Sequence, residues 1–293
     1  MSRYRASFRL CPGLEGDGGV LAGLLYSFAR PGHTKAMSTP TSSHAPESCR
    51  LNKFLAQAGV CSRRKADTYI AAGRVQVNGS LVTQLGVQVH PGQDEVRVDG
   101  RVVELPEAQS AGHDYILLHK PVQVVTTAKD PQGRRTVLDL LPSQTFNRRI
   151  FPVGRLDFMS EGLLLLTSDG ELANRLTHPR WHVEKVYEVT LREAVTEEHI
   201  KQMSSGMRLS EGEQLAPVDV QRRKTAADTS SLELTLHQGV NRQIRRMCRD
   251  LGLTILRLKR IRQGPVRLGK LPQGHWRHLT ATEITTLKKR LGL

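Results

Sequence analysis

A polar, proline-containing stretch at residues 106–113 divides this chain into two parts with different hydrophobic patterns. Residues 49–105 contain two short amphipathic segments followed by hairpin signals, whereas residues 114–293 alternate strand-like and helix-like runs. A chain of 293 residues is long enough to bury more than one core. We therefore expect a small helix-plus-hairpin domain, a linker, and a larger domain of mixed α/β class.

Residues 1–48 differ from both parts because they are rich in glycine, serine, proline and threonine and show no sustained period. Two explanations stay open: the segment is disordered, or translation starts at Met37 and the upstream residues are a gene-calling error. A transit peptide is a weaker alternative, because Glu15 and Asp17 interrupt an otherwise arginine-rich stretch. The fold argument therefore begins at residue 49.

The charge of the chain indicates its partner. The formal net charge is +15 and the pI is about 10.1, which favours a polyanionic surface such as nucleic acid. No run approaches eighteen uninterrupted apolar residues, so no membrane-spanning segment is expected. The four cysteines form no C-x-x-C pair and no metal-ligand cluster, which is typical of reduced thiols in a cytoplasmic protein.

The small domain begins with two predicted helices. The first spans Leu51 to Gly59, and Ser62 is a suitable N-cap for a second helix that ends near Ala72. Three cations open the second helix and oppose its dipole: Arg63, Arg64 and Lys65. Local stability does not explain them, whereas an anionic ligand would. A solvated helix end is the alternative explanation.

Two hairpin signals follow, because Asn78-Gly79 and Asp99-Gly100 each come after a short strand of alternating valines. With S-R-R-x-A at 62–66 and G-R-V-x-V-N-G at 73–79, this region resembles the RNA-binding domain named after the fourth protein of the small ribosomal subunit. The resemblance covers roughly residues 49–100. It implies that four side chains face RNA phosphates: Arg63, Arg64, Lys65 and Arg74.

The larger domain reads as several strands joined by short turns, so we expect a mainly antiparallel sheet. Its predicted strands are Ile116–Leu118, Gly162–Thr167, 185–192, 231–239 and Thr254–Arg262, and its predicted helices are 171–177 and 241–252. Asp169-Gly170 is predicted to form a turn. In the last strand, Leu256 and Leu258 are expected to point one way and Arg257 and Lys259 the other.

Charged side chains in this domain suggest where a site lies. Asp157 ends a G-R-L-D loop before an apolar strand, although a lone loop aspartate is more often a turn former or cap. Four arginines of the later helix fall on one stripe and repel one another, so bound RNA or a buried carboxylate would relieve them: Arg242, Arg245, Arg246 and Arg249. Five more cations are expected to extend the basic surface: Arg260, Arg262, Arg267, Lys270 and Arg277.

Four segments in order resemble motifs of pseudouridine synthases: HKP at 119–121, GRLDFMSEGLLLLTSDGELANRLTHP at 154–179, KVYEV at 185–189 and GVNRQIRRM at 239–247. They are most similar to the RsuA/RluB branch, which acts on ribosomal RNA and carries the same N-terminal module. The resemblance implies a monomeric enzyme that converts a uridine of ribosomal RNA to pseudouridine. Because this isomerisation involves no redox step and no energy source, neither cofactor nor metal is expected.

The resemblance assigns roles residue by residue. Asp157 matches the essential aspartate, Tyr187 matches the tyrosine that stacks on the target base and is a candidate for proton transfer, and Arg245 matches the basic partner of the aspartate. Leu258 matches a packing leucine at the site. Further RNA contacts are expected from Lys120, Arg155, Arg242 and Arg246. Ser160 stands where many relatives have threonine; the hydroxyl is kept, so we expect altered rather than lost activity.

Alternatives concern both the activity and the target. A non-catalytic RNA-binding or ribosome-assembly protein would need the small domain alone, but it would have no reason to keep Asp157, Tyr187 and Arg245 together. A DNA-binding regulator rests only on charge, since the sequence has no helix-turn-helix or zinc-finger pattern. Within the enzyme hypothesis, small-subunit ribosomal RNA or transfer RNA are alternative targets. The long basic C-terminal stretch favours the large subunit.

Overall fold

The computed structural model describes residues 48–105, 112–142, 146, 148–223 and 230–293. The predicted extension at 1–48 and the predicted linker at 106–113 lie almost wholly outside the described residues, so these two boundaries stay predictions. Residues 49–103 form two small sheets, and residues 115–278 contribute to a nine-stranded sheet. The predicted mixed α/β class is confirmed. No helix in the described ranges is both long and apolar enough to span a bilayer.

The small domain has the predicted two helices and two hairpins. Its elements are β1 (Cys49–Arg50), α1 (Leu51–Gln57), α2 (Arg63–Ala71), β2 (Val75–Val77), β3 (Ser80–Val82), β4 (Gln88–Val89), β5 (Val96–Val98) and β6 (Arg101–Val103). Strand β1 pairs with β4, and the remaining strands run in the order β3-β2-β5-β6. The β2–β3 turn adopts a left-handed backbone at both central residues, with φ of 51° at Asn78 and 79° at Gly79, as an Asn-Gly hairpin requires.

Both predicted helices of this domain are present, and Ser62 is the N-cap of the second, as predicted. The hydroxyl of Ser62 accepts a hydrogen bond from the Lys65 amide at 3.2 Å and caps α2. Apolar side chains of the two helices pack with the inward valines of the hairpins into one core, which includes Leu51, Phe54, Leu55, Ala66 and Ile70. The charged start of α2 is left facing solvent.

The larger domain is built on one twisted, nine-stranded sheet. Its elements are β7 (Tyr115–Lys120), β8 (Phe151–Val153), β9 (Glu161–Thr167), α3 (Gly170–Thr177), β10 (Lys185–Leu191), α4 (Glu197–Ser205), β11 (Asp219–Arg223), β12 (Ser230–Leu236), α5 (Gln243–Asp250), β13 (Ile255–Gln263), β14 (Val266–Arg267), β15 (Trp276–His278) and α6 (Ala281–Leu291). The order is β11-β12-β10-β13-β9-β7-β15, with β14 on β13 and β8 on β9. Every pairing is antiparallel except that of β9 with β13.

Strand β9 lies inside this sheet, where it pairs with β7, β8 and β13, and all seven of its residues are buried. Leu163 and Leu165 pack into the core beneath α3 and α6, whereas Leu164 and Leu166 pack into the core on the opposite face. A strand buried on both faces needs a continuous apolar run, which explains the sequence G-L-L-L-L-T. A third core lies under α4 and α5 and includes the inward leucines of β12.

A glycine makes the single parallel contact possible. Gly162 has a φ of 109°, and a Cβ atom there would lie 2.2 Å from the carbonyl oxygen of Arg260. No other residue type fits so close an approach of two backbones. The contact brings the middle of β13 against the start of β9, just beyond the loop that carries Asp157.

Three predictions about side-chain placement were wrong. Asp169 does not form a turn with Gly170, because its carboxylate caps α3 by accepting hydrogen bonds from the Glu171 and Leu172 amides. Arg260 is not part of the basic surface, because its side chain is only 2% exposed. Leu256 is half-exposed although Leu258 is buried, since the register of β13 against β10 shifts near the start of the strand.

Candidate active site

A cleft of about 670 Å³ opens where five segments of the larger domain meet. Its walls are the loop between β8 and β9, the segment that leads from the end of α3 to β10, the strands β10 and β13, and the loop that leads from β12 into α5. Asp157 is the only carboxylate among its described lining residues. Within the described ranges, no three His, Cys, Asp or Glu side chains lie in an arrangement that would hold a metal ion.

Two arginines flank the carboxylate of Asp157. Arg245 Nε and Arg242 Nη1 each lie 3.7 Å from Asp157 Oδ2. The pairing of Asp157 with Arg245 is therefore present, as the family resemblance implied. Arg242 reaches the same oxygen because its backbone, at the N-cap of α5, adopts a left-handed conformation with φ of 50°. Such a backbone is uncommon for a residue other than glycine, asparagine or aspartate.

Arg245 also holds the loop that carries Asp157. Its Nη2 donates to the carbonyl oxygen of Met159 at 2.6 Å and to Ser160 Oγ at 3.1 Å. Ser160 thus supplies a hydroxyl that this arginine binds. Burial is the main cause that lowers the pKa of Arg245, and the neighbouring Asp157 opposes that shift. A single planar guanidinium therefore contacts the loop backbone and the carboxylate together.

Lys120 is a correction to the predicted RNA contacts. Its side chain is fully buried, and its Nζ donates to three carbonyl oxygens, those of Pro121 at 2.9 Å, Asp157 at 3.1 Å and Ser160 at 2.8 Å. A buried ammonium with three acceptors cannot reach RNA, so Lys120 instead fixes the Asp157 loop. Burial lowers the pKa of Lys120 to about 8. The sequence signal was available, since this lysine ends a strand that opens with four apolar residues, Tyr115 to Leu118.

Tyr187 and Leu258 lie where the resemblance expects them, in the wall of the cleft. Tyr187 is half-buried and packs against two of the cores, so its ring is held between the two halves of the sheet. Leu258 is 6% exposed and stands on β13 opposite Val189 of β10. These two side chains provide an aromatic face and an apolar wall beside the carboxylate.

Several further polar side chains line the cleft and were not predicted as site residues, and three of them lie on β10 and β13: Lys185, Arg260 and Gln263. Arg260 pairs across the sheet with Tyr187, and Gln263 pairs with Lys185. Arg260 Nη2 and Gln263 Oε1 are buried and have no hydrogen-bond partner among the described residues. Burial, reinforced by the charge of Arg260, lowers the pKa of Lys185 to about 8. A pattern of alternation cannot reveal this cluster, because the register shift between β10 and β13 decides which side chains meet.

The other predicted RNA-binding side chains fall into two groups. Arg155 is exposed and lines the cleft, and Arg63, Arg64 and Lys65 are exposed on α2. By contrast, Arg246 is mostly buried and ion-paired, with its Nη1 2.7 Å from Glu213 and its Nη2 3.5 Å from Glu211. Arg74 also has a partner, because its Nε lies 2.8 Å from Asp99 while its guanidinium stacks over Tyr69 at 4.0 Å.

Comparisons with known proteins identify the family of this chain. Residues 114–250 match the family model described as RNA pseudouridylate synthase, and residues 49–94 match the S4 domain. An uncharacterized RNA pseudouridine synthase of Aquifex aeolicus (strain VF5) is 43% identical over 245 residues, which cover 83% of this chain and 95% of that protein. The chain belongs to the RNA pseudouridine synthase family. It is therefore an isomerase that acts on RNA and carries an S4 domain.

Other members of the family are similar over the same length. Ribosomal large subunit pseudouridine synthase B of Bacillus subtilis (strain 168) is 41% identical, over 82% of this chain and 95% of that protein. Dual-specificity RNA pseudouridine synthase RluF of Escherichia coli (strain K12) is 40% identical, over 83% of this chain and 79% of that protein. A crystal structure of a pseudouridylate synthase is 30% identical and covers 81% of this chain and 99% of that one, with a TM-score of 0.57.

Proposed function

We propose that this enzyme isomerises a specific uridine of large-subunit ribosomal RNA, with Asp157 as the nucleophile and without a cofactor. The observation that carries the proposal is a single carboxylate in the described wall of the cleft, held between Arg242 and Arg245. The relative from Bacillus subtilis, 41% identical, is named for the large ribosomal subunit and supports this target. The relative from Escherichia coli is named a dual-specificity enzyme, so a second RNA target is the alternative.

The geometry suits a carboxylate nucleophile. The reaction breaks the bond between uracil and ribose, turns the base, and rejoins it to the sugar through ring carbon five. Asp157 attacks either the uracil ring or the anomeric carbon. At 3.7 Å the two arginines supply positive charge without a tight hydrogen bond, so the oxygen lone pairs stay available for attack. The proposal needs no group that is oxidised or reduced, because the product is an isomer of the substrate.

Binding of the target requires that the uridine leave its base stack, at a cost of a few kcal/mol. Stacking on the ring of Tyr187 returns about 1–3 kcal/mol of that cost. The exposed cations of α2 and Arg155 add affinity through phosphates, largely without reading sequence. We propose further that the enzyme acts as a monomer in the cytoplasm, where ribosomal RNA is assembled into ribosomal subunits.

The deciding experiment is a pseudouridine map of ribosomal RNA from cells with and without the gene, by carbodiimide labelling and primer extension. We expect one site in large-subunit RNA to disappear in the deletion, to return with the wild-type gene, and to stay absent with Asp157→Asn. Glu213→Gln is the matched control, because it removes an ion pair with another arginine of α5 at 2.7 Å, outside the cleft. A map unchanged by the deletion would reject the large-subunit target, and restoration by Asp157→Asn would reject the nucleophile.

A further inference from the structure

Two large apolar side chains project into solvent at the mouth of the cleft. Residues Asp157 to Ser160 form a turn closed by a hydrogen bond from the Ser160 amide to the Asp157 carbonyl oxygen at 3.0 Å. The first and last residues of this turn line the cleft, whereas the two central ones, Phe158 and Met159, are 41% and 53% exposed. Exposed apolar groups of this size beside a functional site are typical of an interaction surface.

The backbone of this turn is rigidly held, so the exposure of its side chains does not reflect a loose loop. Each of the four turn carbonyl groups accepts a hydrogen bond from outside the turn. Lys120 Nζ donates to Asp157 and Ser160, Arg245 Nη2 donates to Met159, and the Gln123 amide donates to Phe158 at 2.7 Å. The same groups that hold Asp157 thus hold the backbone from which the two apolar side chains project.

The surroundings of this pair identify its partner. The exposed Arg155 and the half-exposed Arg242 line the cleft beside the turn, and Val122 adds a third exposed apolar side chain next to Gln123. Exposed apolar side chains near cations match an RNA strand, whose phosphates bind arginine and whose bases offer apolar faces. A protein partner would not require continuity of this surface with the nucleotide-binding cleft.

We propose that Phe158 and Met159 form a wedge that packs against the bases flanking the target uridine and fills the space left when that uridine enters the cleft. This inference rests on the proposed action on a structured RNA. Enzymes that extrude a base must compensate for lost stacking, and apolar side chains inserted at a base step are one means to do so. Because the wedge and Asp157 belong to one turn, insertion of the wedge brings the carboxylate to the extruded nucleotide.

The test compares two RNA stem-loops that carry the uridine identified by the map. In the first the uridine is paired within the stem, and in the second it is bulged and already unstacked. Both carry 2-aminopurine as the next base, whose fluorescence rises when its neighbour leaves the stack. We expect Phe158→Ala/Met159→Ala to lower kcat/KM on the paired stem by about tenfold, and on the bulged stem by less than about twofold. The fluorescence rise on binding to the paired stem should be largely lost.

Three controls separate a wedge from a general defect. Leu256→Ala removes another exposed apolar side chain of this domain, 50% exposed and outside the cleft, and should change neither quantity. Phe158→Trp/Met159→Leu keeps large apolar groups and should restore both. Asp157→Asn should be inactive on both stems while keeping the fluorescence rise. Equal activity of the double alanine variant and wild type on the paired stem would overturn the proposal, and so would an equal loss on both stems.

The failure of this inference differs from a failure of the proposed function. If wild-type enzyme converts the mapped uridine and the double alanine variant behaves like it, only the wedge is rejected. If the map shows no change on deletion of the gene in large-subunit RNA, the proposed target is rejected instead, and the stems are built from whichever RNA the purified wild-type enzyme converts.

Discussion

The two arginine-rich helices of this chain make opposite use of their charge. At the start of α2, the cations Arg63, Arg64 and Lys65 are exposed, and no carboxylate among the described residues pairs with them. Around α5 every arginine faces a carboxylate: Arg242 and Arg245 face Asp157, Arg246 faces Glu211 and Glu213, and Arg249 faces Glu211 and Asp250. The sequence made both helices look like RNA-binding faces.

The difference shows that local charge density alone does not predict an RNA surface; the absence of acidic partners is the better guide. Cations without partners in the free protein gain most from phosphates, because they give up no existing ion pair. Cations that already have partners instead hold a geometry, and at α5 this geometry surrounds Asp157. We therefore expect substitutions at the start of α2 to change affinity and salt dependence, and substitutions of the residues that contact Asp157 to change turnover.

The largest effect should come from Asp157→Asn. If this carboxylate is the nucleophile, the variant should lose about 10⁴-fold or more in single-turnover rate. Its affinity for RNA should change less than about threefold, because phosphate contacts supply most of the affinity. Quench-flow assays with saturating enzyme measure the first quantity and filter binding the second. A variant with easily measured turnover would remove Asp157 from the chemistry.

Arg245→Lys sharpens the comparison within α5. Lysine keeps the charge but loses the planar fork that contacts Asp157, Met159 and Ser160 together. Because a small displacement of a catalytic group is costly, we expect kcat to fall about 10²-fold with little change in KM. Arg249→Lys is the matched control, since its partners Glu211 and Asp250 lie outside the cleft. Equal effects of the two variants would contradict a special role for Arg245.

Neutralising the start of α2 tests the other side of the comparison. The triple variant Arg63→Gln/Arg64→Gln/Lys65→Gln should weaken RNA binding about tenfold at physiological salt. The slope of log affinity against log salt should fall by about 2, at roughly 0.7 for each lost phosphate contact on single-stranded RNA. Turnover at saturating RNA should be unchanged. Arg97→Gln, which removes a cation already paired with Glu95 at 2.7 Å, is the control and should leave the slope almost unaltered.

The smallest effect concerns Lys120 and pH. Its pKa of about 8 in the folded chain lies below the usual value near 10.5, because burial disfavours the ammonium. Between these two values the unfolded chain binds more protons at this residue, so stability must rise with pH across this window. The unfolding free energy of wild type relative to Lys120→Met should increase by about 1 kcal/mol from pH 8 to pH 9. Urea denaturation of both proteins measures this, with Lys201→Met as the control for loss of one lysine.

Local signals were reliable wherever a few neighbouring residues determine the conformation. The N-cap at Ser62, the turn at Asn78-Gly79 and the alternating leucines of β12 were predicted and confirmed, because capping, left-handed turns and strand alternation depend on residues close in sequence. The prediction for Asp169 was wrong because a turn and an N-cap use the same residue type, and only the direction of the following chain separates them.

The sequence by itself determined the elements, the family motifs and the residues that gather around Asp157, since these follow from short-range periodicity and from ordered motifs. Only the tertiary structure decided which cations are free. Lys120 is buried and holds the Asp157 loop, Arg260 is buried in the wall of the cleft, and Arg246 forms an ion pair with Glu213. The physical reason is that the role of a charged side chain depends on its burial and on the carboxylates nearby. Those neighbours come from strands and loops that are distant in sequence and meet only when the sheet has assembled.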